Sequence, residues 1–308
     1  MKFQKRAGVC ICVSLAIMLI AGVMSLCGLG INYGIDFAGG LNLQYNMNQA
    51  FDQADVSAAL DAMGVTEYKI STVGAEGQIL QIRVAKLTAD DEIQTLQAGL
   101  ESALLEKYPN LDTVNATASY VGPVAGAMLV RNAVFSVLIA AALMLVYIAF
   151  RFDLFSGVAA VIGLLHDVLI MLAFMVLLRS FIQMNSSYIA AMLTIVGYSI
   201  NNTIVIFDRI RENNKKPAYA GRERNQVVDI SVRESLGRTI NTTLTTLVTI
   251  VTLYILGVDS IREFSLPIIV GILAGAYSAN LINGYVWASL EELKLSRKSS
   301  RKLKAKKA

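Results

Sequence analysis

Charge is what this sequence has least of. Only 16% of its 308 residues are Asp, Glu, Lys or Arg, while 55% are apolar and the mean hydropathy is +0.55. That balance excludes an ordinary water-soluble fold. Cysteine is scarce too: Cys10, Cys12 and Cys27 all fall in the first apolar run. In a helix, the 17-residue separation of the outermost two spans roughly 25 Å, so no disulfide links them there, and all three read as small buried apolar residues. Histidine occurs once, at position 166. No Ser/His/Asp set, cluster of metal ligands or Gly-rich phosphate loop is found, which leaves the common hydrolase, metalloenzyme and nucleotide-binding classes without support. The expectation is a protein that is not an enzyme and carries no cofactor.

What the chain does have is long uncharged runs. Residues 7–35, 132–150, 180–207, 239–258 and 264–290 contain no Asp, Glu, Lys, Arg or His, and each can cross about 30 Å of hydrocarbon. A sixth run, 154–178, is interrupted only by His166 and Asp167. The chain therefore reads as an α-helical integral membrane protein with six transmembrane helices. The first run reads as an uncleaved helix: it is longer than a signal-peptide core, no A-x-A site follows, and Leu26 before Cys27 suits a lipoprotein cleavage site poorly.

Positive charge near helix ends is retained in the cytoplasm. The N-terminus, the loop 208–238 and the tail after 291 hold three, eight and eight basic residues, whereas 34–128 has four against twelve acidic. Both termini and the 208–238 loop are thus expected in the cytoplasm and 34–128 outside, in a bacterial cytoplasmic membrane. The division is 1–33 for the N-terminal tail and first helix, 34–128 for an exported domain, 129–290 for helices two to six, and 291–308 for a basic tail. Within 34–128 the pattern predicts strand 41–47, helix 53–63, strands 67–73 and 78–86, helix 89–107 and strand 112–120. This β-α-β-β-α-β order is that of a small ferredoxin-like α+β domain. Gly74 and Gly77 mark the hairpin turn, and Leu87-Thr88 leads into Asp90, Asp91 and Glu92 at a helix start.

Polar residues at bilayer depth are costly and so face protein or water. His166 and Asp167 lie mid-helix, either as interhelical hydrogen-bonding groups or as participants in ion movement. Arg238, Asn241, Thr242, Thr245, Thr249 and Thr252 share one face of the fifth helix. Tyr198, Ser199 and Asn202 cluster on the fourth, with Asn201 turned about 100° from Asn202. Asn202 lies roughly 9 Å inside the inner end of that helix, and a contact with Arg238 is geometrically permitted. Gly271, Gly275 and Ala279 form a small-residue ridge on the sixth helix, followed by Asn280 and Asn283.

Several motifs in order carry a resemblance. GIDFAGG at 34–40 (Gly34, Asp36, Phe37, Gly39, Gly40), Val121-Gly122-Pro123, Leu165-His166-Asp167, GYSINNTIVIFDRIREN at 197–213 (Gly197, Tyr198, Asn202, Asp208, Arg209) and Arg238-Thr239 resemble the signatures of the SecF branch of the SecD/SecF protein-export family, within the resistance-nodulation-division superfamily. The resemblance covers nearly the whole chain. It implies pairing with a SecD-like subunit, work beside the Sec translocation channel on exported polypeptides, and use of a proton or sodium gradient in late translocation. Family members normally carry Asp where this chain has Asn202, and that Asp, with the Arg matching Arg238, is implicated in proton passage. Asn has no titratable proton, so the charge-changing residue is expected to be Asp167 or a partner carboxylate, with Asn202 a neutral hydrogen-bond partner of Arg238. The alternatives are a non-motor subunit of the same complex and half of a small-molecule or lipid exporter of the superfamily. The basic tail reads as a solvated segment near membrane lipids; binding to the channel or to ribosomal RNA stays open, and no specific nucleic acid is implied.

The topology is directly testable. In a background lacking native cysteines, an impermeant thiol reagent added to intact cells should modify Glu76→Cys and spare Tyr219→Cys. Labelling at position 219 overturns the orientation.

Overall fold

The computed structural model describes residues 4–73, 78–84, 90–179 and 182–307. The expected turn at Gly74 and Gly77 and the Leu87-Thr88 helix entry lie outside these residues. The chain divides into two compact units. The first joins residues 1–32, 135–183 and 187–308; the second joins 33–134 and 184–186.

The first unit is built from helices α1 (Gln4–Leu26), most of α5 (Pro123–Arg151), α6 (Leu154–Leu177), α7 (Ser186–Lys215), α8 (Arg224–Leu256), α9 (Asp259–Ser278) and α10 (Gly284–Lys307). A π-helical turn, Ala279–Asn283, joins α9 to α10. Among the described residues six stretches are long and apolar enough to cross a membrane: Ala7–Leu26, Ala125–Ile148, Leu154–Leu177, Ser186–Lys215, Arg224–Leu256 and Ile261–Leu295. Their shared core holds Leu164, Ile200, Phe207, Val232 and Trp287. α6 and α7 are half-buried in it, whereas α1, α5 and α8 turn most of their apolar surface outward.

Helices outrun the apolar segments that announced them. The 208–238 segment, expected as a loop, is the end of α7, residues 216–223 with a short 3-10 turn at Pro217–Tyr219, and the start of α8. Charge ends a hydrocarbon span but not a helix, and pairs at helical spacing favour continuation: Arg209 meets Glu212 at 2.6 Å and Lys216 meets Glu212 at 2.9 Å. The basic tail likewise continues as helix to Lys307.

The second unit carries β1 (Gly40–Asn46), α3 (Gln53–Ala62), β2 (Tyr68–Val73), β3 (Ile79–Val84), α4 (Asp90–Lys107) and β4 (Asp112–Val121), preceded by the short α2 (Ile35–Ala38). The sheet order is β2-β3-β1-β4, every pair antiparallel. Alternation places Leu41, Leu43 and Tyr45 of β1 and Leu80, Ile82 and Val84 of β3 in one core, with Val56 and Leu60 of α3 and Leu96, Leu100 and Leu104 of α4. Asp52 caps α3 by accepting from Ala54 N at 2.9 Å. Lys107 and Tyr108 at the end of α4 donate to Asp55 on α3, each at 2.5 Å, and hold its carboxyl below the usual range, Lys107 first.

The GIDFAGG stretch ties this unit's backbone together. Gly34 N donates to Met184 O at 2.8 Å, and Asp36 accepts from Ser186 N at 2.7 Å. A Cβ on Gly126 would sit 3.1 Å from Phe37 O. Gly39 and Gly40 have φ of +74° and +114°, a region that side chains disfavour. Gly39→Ala is therefore expected to destabilise the protein by about 1–3 kcal/mol and lower its thermal midpoint in detergent. Gly22→Ala, with nothing within 4 Å of the added carbon, should leave the midpoint unchanged or raise it.

Candidate functional site

The first unit's polar residues converge on Asp167. Its side chain, near the middle of α6, is fully buried at 0% exposure. Oδ1 meets His166 Nδ1 at 2.9 Å. Oδ2 accepts from the Ser199 hydroxyl on α7 and from the Ser278 hydroxyl on α9, the latter at 2.9 Å. His166 Nε2 in turn lies 2.8 Å from Ser14 Oγ on α1. The carboxylate thus collects groups from three helices, and His166 links it to a fourth. Such a charge is tolerable in a low-dielectric interior only when paired and hydrogen-bonded.

His166 also borders a cavity of about 280 Å³ between α1, α6 and α9, walled by Val13, Ile170, Phe174 and Leu273. Its ring stacks on Tyr277, centroids 6.2 Å apart, and the Tyr277 hydroxyl donates to Cys10 O at 2.7 Å.

One turn from Asp167, Asn283 Nδ2 donates to Thr203 Oγ1 at 2.8 Å, and Thr203 donates to Ser199 O at 3.1 Å. Thr239 of α8 donates to Asn280 Oδ1 at 3.1 Å. The π turn aims both asparagines inward, leaving them 8% and 1% exposed. A π turn shifts register and is a frequent local distortion at functional sites. The asparagines stand out in the sequence; the distortion that aims them does not.

Asn202 is 1% exposed and its Nδ2 has no hydrogen-bond partner. The expected pair with Arg238 does not form. Arg238 is exposed and lines a second cavity of about 830 Å³, shared with Asp208, Arg209, Glu212 and Lys215. The physical reason is that a long cationic side chain at a span's end reaches for solvent while a short amide stays where the helix puts it. Tyr198, one turn before Asn202 on α7, donates to Thr242 O at 3.1 Å.

The Thr face of α8 is largely self-satisfied. Thr242, Thr245, Thr249 and Thr252 donate to carbonyls four residues back, at 2.9, 3.0, 3.1 and 2.8 Å. The buried threonines of α8 are instead Thr239 and Thr243, on a neighbouring face that the sequence stripe passes by. Asp208 and Arg209 serve the ends of the helices. Arg151 reaches Asp208 at 3.5 Å, and Arg209 pairs with Glu234 at 2.7 Å, while Asn213 donates to Ser231 and Glu234. Gly197 has open space beside it, but Gly271 and Gly275 do not. A Cβ there would meet Ile195 at 2.4 Å and Ser199 at 3.1 Å, so the ridge brings α9 onto α7.

Residues 101–293 match the family model described as "Protein export membrane protein SecD/SecF, C-terminal", and residues 25–50 match that of the SecD/SecF GG motif. The chain belongs to the SecD/SecF protein-export family. Relatives named protein translocase subunit SecF include that of Rickettsia felis, 33% identical over 294 residues, 93% of this chain and 92% of the relative. That of Thermodesulfovibrio yellowstonii is 36% identical over 266 residues, 85% and 86% of the two chains. Among solved structures, SecDF of Thermus thermophilus, described as a translocon-associated membrane protein, superimposes with a TM-score of 0.81 at 34% identity over 95% of this chain. SecDF in its super-membrane-facing form gives 0.68 at 31% identity over 98%. This chain spans 39% and 40% of those two SecDF chains. The GG motif of the SecD/SecF family falls on the two positive-φ glycines, Gly39 and Gly40.

Gly163 of α6 faces Asn283 so closely that a Cβ would stand 2.1 Å from Asn283 Oδ1. Gly163→Ala should therefore expel the Asn283 side chain and break its bond to Thr203, costing about 1–3 kcal/mol as a lowered thermal midpoint. Gly197→Ala is the silent control.

Proposed function

We propose that this chain is the SecF subunit of a bacterial Sec protein-export apparatus, pairing with a SecD-like subunit and drawing on an ion gradient to assist late movement of polypeptides. The observation that carries the ion-coupling reading is the fully buried Asp167, hydrogen-bonded to side chains from two other helices and, through His166, linked to a third. An ion-driven machine needs a group whose charge changes between two packings, because a ligand shifts an equilibrium only by its differential affinity for the two states. With Asp167 ionised, Ser199, Ser278 and His166 all have an acceptor. Protonation removes one lone pair and the charge, loosening the link between α6, α7 and α9. Each charge crossing ~100 mV supplies about 2.3 kcal/mol, comparable to one or two such hydrogen bonds.

The SecD-like partner is supported by the outward polar face of α7 and α8. Asn201, Asn241 and Arg238 are exposed in the isolated chain. The carboxamides of Asn201 and Asn241 at membrane depth are costly against hydrocarbon, so a complementary protein surface covers them. The basic residues of the 208–238 segment and the tail favour cytoplasmic placement of both termini. The second unit, with its β-α-β-β-α-β order, then stands on the exported side as a ferredoxin-like domain that meets emerging polypeptide near the translocation channel.

Vesicles carrying the complex, with an imposed proton or sodium gradient, test this reading. Asp167→Asn and Arg238→Met should reduce gradient-stimulated translocation to the ungradiented level. Asn202→Ala should weaken stimulation without abolishing it, and Asn202→Asp should retain it. Full stimulation in Asp167→Asn would move the charge-changing group to the partner.

A further inference from the structure

The cavity of about 280 Å³ between α1, α6 and α9 lies within three apolar spans, and its polar lining residues, Ser14, His166 and Tyr277, gather at one end. There His166 Nε2 meets Ser14 Oγ at 2.8 Å, and the Tyr277 hydroxyl donates to Cys10 O at 2.7 Å. A buried water needs two to four polar partners, whereas these groups already bond one another or backbone. The rest of the lining is hydrocarbon.

The cavity is a slot elongated along the helices. α1 and α6 run parallel, because Ser14 stands beside His166 while Ala21 packs with Ala173. α9 runs the other way, with Ser278 at Asp167 and Asn283 beyond it at Gly163. From the polar end the lining therefore proceeds to Ile17, Phe174 and Val270 together. Along the axes His166 and Phe174 stand about 12 Å apart and Tyr277 and Val270 about 10.5 Å, at 1.5 Å per residue. Exposure marks the mouth. Val13 on α1 and Leu273 on α9 line the slot yet are 50% and 51% exposed, whereas Ser14, Ile170 and Ala274 are 3%, 6% and 6%. The opening thus lies between α1 and α9, on helices other than those that carry the outward polar face.

An apolar cavity of about 150 Å³ stays dry and takes up small apolar molecules; this one has nearly twice that volume and opens toward hydrocarbon. A void forfeits the dispersion contacts of its walls, and in a bilayer the molecules at hand to restore them are lipid chains. We propose that the slot is a lipid site, holding one acyl chain from the leaflet at the C-terminal end of α6, with the chain's methyl end against His166. The direction follows from depth. His166 is mid-span and Phe174 lies near the end of the Leu154–Leu177 span, just as a lipid's methyl end lies at the bilayer centre and its carbonyl near the surface. The seated chain keeps water from the Ser14–His166 bond. This site depends neither on the charge state of Asp167 nor on a gradient.

Photoreactive phosphatidylglycerol is the probe. The full-length chain, co-assembled with its SecD-like partner, is placed in phosphatidylcholine vesicles holding a small fraction of phosphatidylglycerol with a diazirine at the chain's methyl end or beside its carbonyl. After illumination the adducts are mapped by mass spectrometry. The methyl-end probe should mark Ile170 and Ala274, buried positions that lipid coating the outside of the bundle does not reach, at least fivefold more than the carbonyl-end probe does. Leu273→Trp, at the half-exposed mouth, should lower those adducts at least fivefold and leave adducts on Leu19 of α1, 66% exposed, unchanged. Ala274→Phe, which fills the slot from inside, should lower the Ile170 adducts to the same extent. Adducts confined to exposed residues such as Leu19, equal marking of Ile170 by the two probes, or no effect of Leu273→Trp would each overturn the site. A non-lipid compound released from the wild-type complex and absent from the Leu273→Trp variant would overturn the choice of occupant. The wild-type map alone decides occupancy when a variant fails to assemble. Translocation is no part of the readout, so loss of the gradient reading leaves this one standing, and the reverse.

Discussion

Everything in the helix bundle answers to one requirement: a carboxylate in the middle of an apolar helix must find its hydrogen bonds from other helices. A membrane span has no spare backbone donors, so Asp167 draws on Ser199, Ser278 and its own neighbour His166, which leans on Ser14. Those four contacts select which faces of α1, α6, α7 and α9 meet. The glycines then set how closely: Gly271 and Gly275 admit α7, and Gly163 admits the Asn283 amide. Apolar packing alone is weak at specifying a unique arrangement in lipid, since hydrocarbon is as good a neighbour as leucine.

The same economy sorts the remaining polar residues into three groups. Thr242, Thr245, Thr249 and Thr252 satisfy themselves along α8 and ask nothing of the fold. Thr203, Thr239, Asn280 and Asn283 bond across helices and continue the polar interior away from Asp167. Arg238, Asn201 and Asn241 turn outward. The last group lies on α7 and α8. Asn202 belongs to none of the three: its amide is buried and its Nδ2 has no hydrogen-bond partner.

The signature motifs of the SecD/SecF family divide in the same manner between scaffold and chemistry. Gly39 and Gly40 supply backbone conformations, Asp36 accepts from Ser186 N within the second unit, and Asp208, Arg209 and Asn213 fasten the end of α7 to its neighbours. Leu165-His166-Asp167 is different, because its polar pair is spent on the interior of the bundle and not on a helix end.

Six spans, an α+β unit between the first two, and the depth of His166, Asp167 and Asn202 are legible in the sequence through runs, alternation and helical spacing, since hydrocarbon thickness and strand pleat impose periods that composition cannot hide. The motifs likewise announce the family. What spacing could not settle was direction. Tyr198, Ser199 and Asn202 share a side of one helix, yet the tertiary structure sends the first to α8, the second to Asp167, and leaves the third without a protein partner. It placed Arg238 in a cavity and not on Asn202, buried Thr239 and Thr243 in place of the longer threonine stripe, and turned Asn280 and Asn283 inward through a π turn. The physical reason is that one-dimensional periodicity identifies the face of a helix, whereas a hydrogen bond needs a distance between two helices, and that distance exists only after the whole bundle has packed.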